Sequence, residues 1–344
     1  MSDDIHIRIE RRAGRITLNR PKALNAMTYE MCTAIEAAID AWAEDDRVAL
    51  VLFDAAGDKA FCAGGDIAEL YATGTKGDYA YGQTFWRDEY RLNAKLFEYA
   101  KPVVSLMQGF TMGGGVGLGC HGSHRIVGQS SQIAMPECGI GLVPDVGGSL
   151  MLALAPGRIG EYLGSTGARM GPADAIYAGF ADTYVEEGAW AELTQELVQT
   201  GDADCINSYA TAAPAGQLEG LQPQIDATFD GETLSDILTQ LKGAQSDFAS
   251  SALKALGRAS PLSAACAIEI VHRLRTASLT IRKALEMEYR FTHRAMEHGD
   301  FLEGIRAQII DKDRNPQWQY ADMSVPATAV SRMLMPLGDD TLTF

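Results

Sequence analysis

Two carboxylates stand in a segment otherwise built from apolar residues, Gly and Pro: Met135-Pro136-Glu137-Cys138-Gly139-Ile140-Gly141-Leu142-Val143-Pro144-Asp145-Val146-Gly147-Gly148. That composition reads as buried, tightly turned backbone, where a carboxylate is costly without a reason to be there. Glu137 and Asp145 are therefore candidates for acid–base or nucleophilic chemistry. A glycine-rich stretch lies just upstream, Gly109-Phe110-Thr111-Met112-Gly113-Gly114-Gly115-Val116-Gly117-Leu118-Gly119. Glycines let a ligand approach the backbone closely, and the unpaired N–H groups at a helix start suit an oxyanion. Each donor aimed at developing charge is worth on the order of 3 kcal/mol of barrier. A second loop, Ala60-Phe61-Cys62-Ala63-Gly64-Gly65-Asp66-Ile67, has small residues at 63–65 and could offer another N–H. The pattern points to an enzyme that polarises a carbonyl with backbone N–H groups and attacks it with help from carboxylates.

Other chemistries fit less well. Gly117-Leu118-Gly119-Cys120-His121-Gly122 matches the dinucleotide pattern G-x-G-x-x-G, but a strand begins near Arg125 and leaves little room for the crossover helix. No G-x-S-x-G occurs. His121 and His124 lack an acidic or Cys partner at metal spacing, so no metal is expected. The six cysteines form no C-x-x-C pair and read as reduced, mostly buried thiols. Phe85, Glu89, Leu92 and Leu96 share a helical face, so Glu89 interrupts an apolar stripe. A salt-bridged or edge-exposed Glu is the plain reading of it.

The elements that must position these residues alternate between β and α patterns up to about residue 195. Strands are predicted at Ile5–Glu10, Gly14–Leu18, Val48–Asp54, Val103–Gln108, Arg125–Ser130 and Ile133–Met135. Helices are predicted at Thr28–Ala43 and about Tyr81–Ala100, with Gly57–Asp66 a loop. No internal repeat is visible. Thr211–Gly216 reads as a linker or exposed turn. Beyond about 230 the patterns are helical: Leu234–Leu241, Ser251–Leu256, Ser263–Ala277 and Leu279–His298, with Asp311–Pro316 a loop. The expected organisation is a core over 1–195 followed by a mainly helical region over 196–344.

Composition sets the outer bounds. The chain has 344 residues, 47% of them apolar, enough for a sizeable core. A net charge of −16 argues against nucleic acid or an anionic membrane as partner. No run approaches the roughly 18 apolar residues of a membrane span. The start, Met1-Ser2-Asp3-Asp4, is acidic and lacks the core of a signal peptide, so a cytoplasmic location is the expectation.

At this point the chain resembles the crotonase (enoyl-CoA hydratase/isomerase) superfamily. Four motifs occur in the family's order and spacing: Arg20-Pro21-Lys22-Ala23-Leu24-Asn25-Ala26, Ala60–Ile67, Gly109–Leu118 and Met135–Gly148. The resemblance implies an α/β fold, a crotonase-like spiral of ββα units with a helical C-terminal region. It implies that an acyl-CoA thioester carbonyl is held by the N–H groups of Gly65 and Gly114. Backbone at Lys22, Ala23, Leu24, Ala63, Asp66 and Ile67 would line the CoA, which is part of the substrate, and no separate cofactor is expected. Relatives commonly form trimers or dimers of trimers, so the resemblance allows a homo-oligomer, a trimer or hexamer; a C-terminal helical layer that packs back on its own core is the alternative.

Hydratases of the superfamily carry a first Glu where this chain has Gly117, which puts two-glutamate water addition in doubt. Asp145 replaces a Gly usual in hydratases. Met135–Gly148 resembles instead the superfamily's thioesterase branch, as do Trp86-Arg87-Asp88-Glu89-Tyr90-Arg91-Leu92-Asn93 and Phe301-Leu302-Glu303-Gly304-Ile305-Arg306-Ala307. The narrower resemblance implies hydrolysis of a short 3-hydroxyacyl-CoA, 3-hydroxyisobutyryl-CoA foremost, as in valine breakdown. Glu137 would act as nucleophile or general base, Asp145 would position water or protonate the leaving thiolate, and Glu89 would bind the acyl hydroxyl. Enoyl-CoA hydration or isomerisation, and acyl-CoA binding without catalysis, are the alternatives.

Overall fold

The computed structural model describes residues 3–276 and 278–344; Met1, Ser2 and Ala277, the last residue of the predicted Ser263–Ala277 helix, lie outside them. Among the described residues, nine strands form two sheets. β1 (Ile5–Glu10) and β2 (Ala13–Leu18) are an antiparallel pair. Next come β3 (Leu50–Ala55), β4 (Ala60–Cys62), β5 (Val103–Met107), β6 (Phe110–Met112), β7 (His124–Val127), β8 (Gln132–Ala134) and β9 (Thr183–Tyr184). The larger sheet runs β1-β2-β3-β5-β7-β9 and the smaller β4-β6-β8. From β3 to β8, successive strands alternate between the sheets, and every pairing after the first is parallel. This is the spiral of ββα units. β5 is buried along its whole length, and β3 along most of it, as expected of parallel strands covered on both faces.

The Gly57–Asp66 loop contains a strand not predicted from its sequence. β4 is three residues long, and it is a strand because β6 pairs with it. The first long helix, Tyr29–Ala43, is capped by the Thr28 side chain, which accepts from the Met31 N–H. It buries Met31, Ile35, Ile39 and Trp42, the face that the three- and four-residue spacing marks.

The end of the ββα pattern near residue 195 is a division along the chain. By spatial contact, the chain groups into two compact units with other bounds. One comprises 1–66, 91–134 and 169–219; the other comprises 67–90, 135–168 and 220–344. The first contains both sheets and a core in which Leu50, Leu52, Val104, Leu106 and Ile126 meet Leu193, Leu197 and Ile206. The second has no strand among its described residues. In it the helix Pro261–Thr276 packs on the helices Gly148–Leu154 and Ile159–Thr166. Buried Glu161 fastens that packing by accepting from Arg158 at 3.0 Å, from Arg275, and from His272 at 3.1 Å. No helix among the described residues is long and apolar enough to cross a membrane.

Candidate active site

The first unit holds the two backbone loops. β4 and β6 pair in parallel, so the loop after Cys62 and the turn after Met112 leave the same end of the small sheet. Gly113 has φ 51° and ψ −123°, a conformation open to glycine alone, and it caps the helix Gly114–Gly119. Gly114 is that helix's first residue, so its N–H has no acceptor within the helix. A Cβ on Gly115 would stand 2.1 Å from the Cys62 carbonyl oxygen, so only glycine lets the helix start sit against β4. Met27 donates to the Gly64 carbonyl and accepts from the Asp66 N–H, at 2.9 and 2.8 Å. In such a parallel bridge Gly65 turns its own N–H the other way.

The residues expected to line CoA divide between the units. Lys22 and Ala23 are exposed in a short 3-10 helix, Pro21–Ala23, and Leu24 follows with φ 51°. The Leu24 carbonyl accepts from the Ala63 N–H at 3.0 Å, and Arg20 pairs with Asp66 at 3.0 Å. Leu24, Ala63 and Asp66 are thereby gathered in the first unit. Ile67 opens the second unit as the cap of the helix Ala68–Gly74. The helix Gly114–Gly119 is six residues long and β7 starts at His124, too short a crossover for a dinucleotide site. Among the described residues no group of three His, Cys, Asp or Glu is disposed to hold a metal ion.

The carboxylates belong to the second unit. Glu137 opens a 3-10 helix, Glu137–Ile140, whose Cys138 carbonyl accepts from Ser260 at 2.8 Å. Asp145 follows at the head of a turn into the helix Gly148–Leu154. Glu89 comes from the helix Ala80–Phe97, where Phe85, Leu92 and Leu96 are buried on the same stripe. Glu89 is neither ion-paired nor edge-exposed: it is 3% exposed, and its Oε1 has no hydrogen-bond partner. Glu137 and Asp145 are each 4% exposed, and Glu137 Oε2 is also without a partner.

Two members of this cluster went unnoticed in the sequence. Tyr90, fully buried, donates from its hydroxyl to Asp145 Oδ2 at 2.8 Å, with Thr292 Oγ1 3.4 Å away. Glu288, on the helix Ile281–His298, accepts from Gly147 N at 2.8 Å, from Ser149 N at 3.0 Å and from the Ser149 hydroxyl. Glu288 sits on a buried stripe with Leu285, Thr292 and Ala295. It therefore carries the same signal as Glu89, an acid on an apolar face.

Four buried carboxyls without a cation among them resist ionisation. Burial, then the charge of Asp145, holds Glu137 and Glu89 well above the usual carboxylate range. Burial also raises Asp145, against the hydrogen bond from Tyr90. It pushes Glu288 up to about 8, against three hydrogen bonds that favour its anion. The charge of Asp145 raises Glu137, so ionising one of the two opposes ionising the other. The Tyr90 hydrogen bond favours the anion at Asp145, whereas Glu137 Oε2 has no partner, so Asp145 is the better placed of the two to ionise first.

A ββα spiral, two glycine-bearing loops side by side and a buried acid cluster define a class, and comparison with known proteins agrees. The chain matches the enoyl-CoA hydratase/isomerase family over residues 13–334 and belongs to it, a crotonase-family enzyme. Among individual proteins, it is 37% identical to the mitochondrial 3-hydroxyisobutyryl-CoA hydrolase of Gallus gallus, over 98% of this chain and 90% of that protein. The Homo sapiens protein of the same name is 36% identical, over 96% of this chain and 88% of its own. Among solved structures, an enoyl-CoA hydratase from Rhodobacter sphaeroides is 56% identical, with TM-score 0.95, covering 99% of this chain and 100% of that one. A carnitinyl-CoA dehydratase from Mycobacterium thermoresistibile is 38% identical, also with TM-score 0.95, covering 100% and 99%.

Proposed function

We propose that the protein hydrolyses the thioester of a short 3-hydroxyacyl-CoA, 3-hydroxyisobutyryl-CoA first, to the free hydroxy acid and CoA. The observation that carries this reading is the presence of buried Glu137 and Asp145 together with a glycine helix, Gly114–Gly119, that bears no carboxylate. Water addition by two glutamates needs an acid where Gly117 stands. The full-length similarity to 3-hydroxyisobutyryl-CoA hydrolases supports the same reading.

In the proposed reaction the N–H groups of Gly65 and Gly114 polarise the thioester carbonyl. The proton held by Glu137 passes to Asp145, which arms both residues at once. The Glu137 carboxylate then attacks the carbonyl carbon, or takes a proton from a water that attacks it. The C–S bond breaks, and Asp145 gives its proton to the departing CoA thiolate. On the covalent route, water cleaves the resulting anhydride and frees Glu137. Glu89, with one oxygen unpartnered, hydrogen-bonds the acyl 3-hydroxyl. Lys22, Ala23, Leu24, Ala63, Asp66 and Ile67 line the CoA.

Enoyl-CoA hydration is the second reading, favoured by the names of the two similar solved structures. One preparation decides. Free-thiol release from 3-hydroxyisobutyryl-CoA is measured beside absorbance loss of crotonyl-CoA, for the wild type and for Glu137→Gln. Thiol release without enoyl consumption, lowered in Glu137→Gln by about a hundredfold or more, is expected. Enoyl consumption without thiol release sinks the hydrolase reading. Near-normal thiol release by the variant removes Glu137 from the chemistry.

A further inference from the structure

Asp145 opens a four-residue turn that closes when the Gly148 N–H donates to the Asp145 carbonyl at 2.7 Å. The two central residues, Val146 and Gly147, both have left-handed φ, 52° and 81°. Glycine accepts that region freely, whereas a β-branched residue crowds its own backbone there. Local preference at Val146 therefore works against the turn, and something outside it must hold it.

Glu288 is placed to do so. Its side chain is fully buried, and both carboxyl oxygens are engaged by the segment that follows Asp145. Of the three groups it meets, the two backbone N–H can only donate, and the Ser149 hydroxyl can donate to the carboxylate or accept from the protonated acid. Two of them are orphan N–H groups at the start of the helix Gly148–Leu154. Tyr90 in turn donates to the Asp145 carboxyl. We infer that Glu288 is a positioning residue for Asp145: by clamping Gly147–Ser149 it sets the backbone that aims the Asp145 carboxyl. The inference rests on the proposed part of Asp145 in thioester hydrolysis.

The test is a cycle of Glu288→Gln, Asp145→Asn and the double variant, assayed for kcat and KM on 3-hydroxyisobutyryl-CoA. Amide hydrogen exchange at Gly147 and Ser149 is followed on the same proteins. Gln keeps the shape of Glu288 but turns an NH2 toward a donor, so the clamp is broken on one side. Expected is a fall in kcat of about 10²-fold with KM within about twofold of wild type, as for a misaimed group. The Gly147 and Ser149 amides should exchange at least about tenfold faster. The double variant should be no slower than Asp145→Asn alone, because a residue acting through Asp145 then has nothing left to aim.

Wild-type kcat in Glu288→Gln, losses that multiply in the double variant, a change confined to KM, or unchanged exchange would each overturn the inference. Should the wild type hydrate crotonyl-CoA and release no thiol, the hydrolase reading fails. The same cycle is then read on hydration, and exchange, which needs no substrate, reports on the clamp alone. If Glu288→Gln does not fold, Ser149→Ala replaces it. That variant loses one bond and should lower kcat about fivefold; wild-type kcat there overturns the inference equally.

Discussion

Replacing Tyr90 by Phe removes one hydroxyl and, with it, the 2.8 Å hydrogen bond to Asp145. That bond is made to the ionised form of a buried acid, so it holds the Asp145 carboxyl down against burial. Hydrogen bonds to charged groups are worth about 1.5–3 kcal/mol, and one pKa unit is about 1.4 kcal/mol. Tyr90→Phe should therefore raise the first ionisation of the Glu137–Asp145 pair by about 1–2 units. The assay is kcat/KM for thiol release across pH, whose acid limb reports the free enzyme. That limb should move to higher pH by the same amount. The basic limb, which reports the second proton and belongs mostly to Glu137, should move less, so the bell narrows from its acid side. Thr292→Val is the control: it removes the more distant neighbour of the Tyr90 hydroxyl, at 3.4 Å, together with a 3.5 Å contact to the Tyr289 carbonyl, and should barely shift the limb. An acid limb that stays put in Tyr90→Phe, or moves to lower pH, refutes the account of which carboxyl ionises first.

Two further outcomes follow from the same geometry. Glu89 binds its proton in the folded protein well above the unfolded value of about 4.3, so the stability it confers is complete below that pH and is lost as the pH rises toward the folded value. Gln mimics the protonated acid, so Glu89→Gln should melt close to wild type near pH 4 and several degrees above it at pH 8; a pH-independent difference would show that Glu89 is not held protonated. Gly115→Ala would put a methyl 2.1 Å from the Cys62 carbonyl oxygen and force the helix start away from β4. It should cost about 1–3 kcal/mol of stability and lower kcat/KM through displacement of the Gly114 N–H; melting and kcat/KM both at wild-type values would show that the two loops are not held by that contact.

Much of the framework was legible because its signals are local. β1 coincides with the predicted Ile5–Glu10, and the helices Tyr29–Ala43, Ala80–Phe97 and Ile281–His298 lie within a few residues of prediction. Thr28 and Thr280, the two side chains that cap the first and last of these, explain the shifted starts. The short elements were not legible. β4 has three residues and the helix Gly148–Leu154 seven, too few for a period to show. They exist because of what they pack on. Thr211–Gly216, predicted as a linker or exposed turn, is irregular and mostly exposed.

The amino-acid sequence by itself singled out Glu137 and Asp145, because two acids among Gly, Pro and apolar residues are anomalous wherever they fold. It also determined the glycine helix start, since no other residue adopts the backbone of Gly113 or fits the space at Gly115. Tertiary structure alone decided which groups control those acids. Tyr90 lies 55 positions before Asp145, and Glu288 lies 141 after Gly147. A hydrogen bond across that separation depends on how helices dock, and docking is set by the sum of many apolar contacts. The proton balance of the cluster follows from the same cause: a carboxyl's affinity for its proton is set by what surrounds it, and the fold supplies those surroundings.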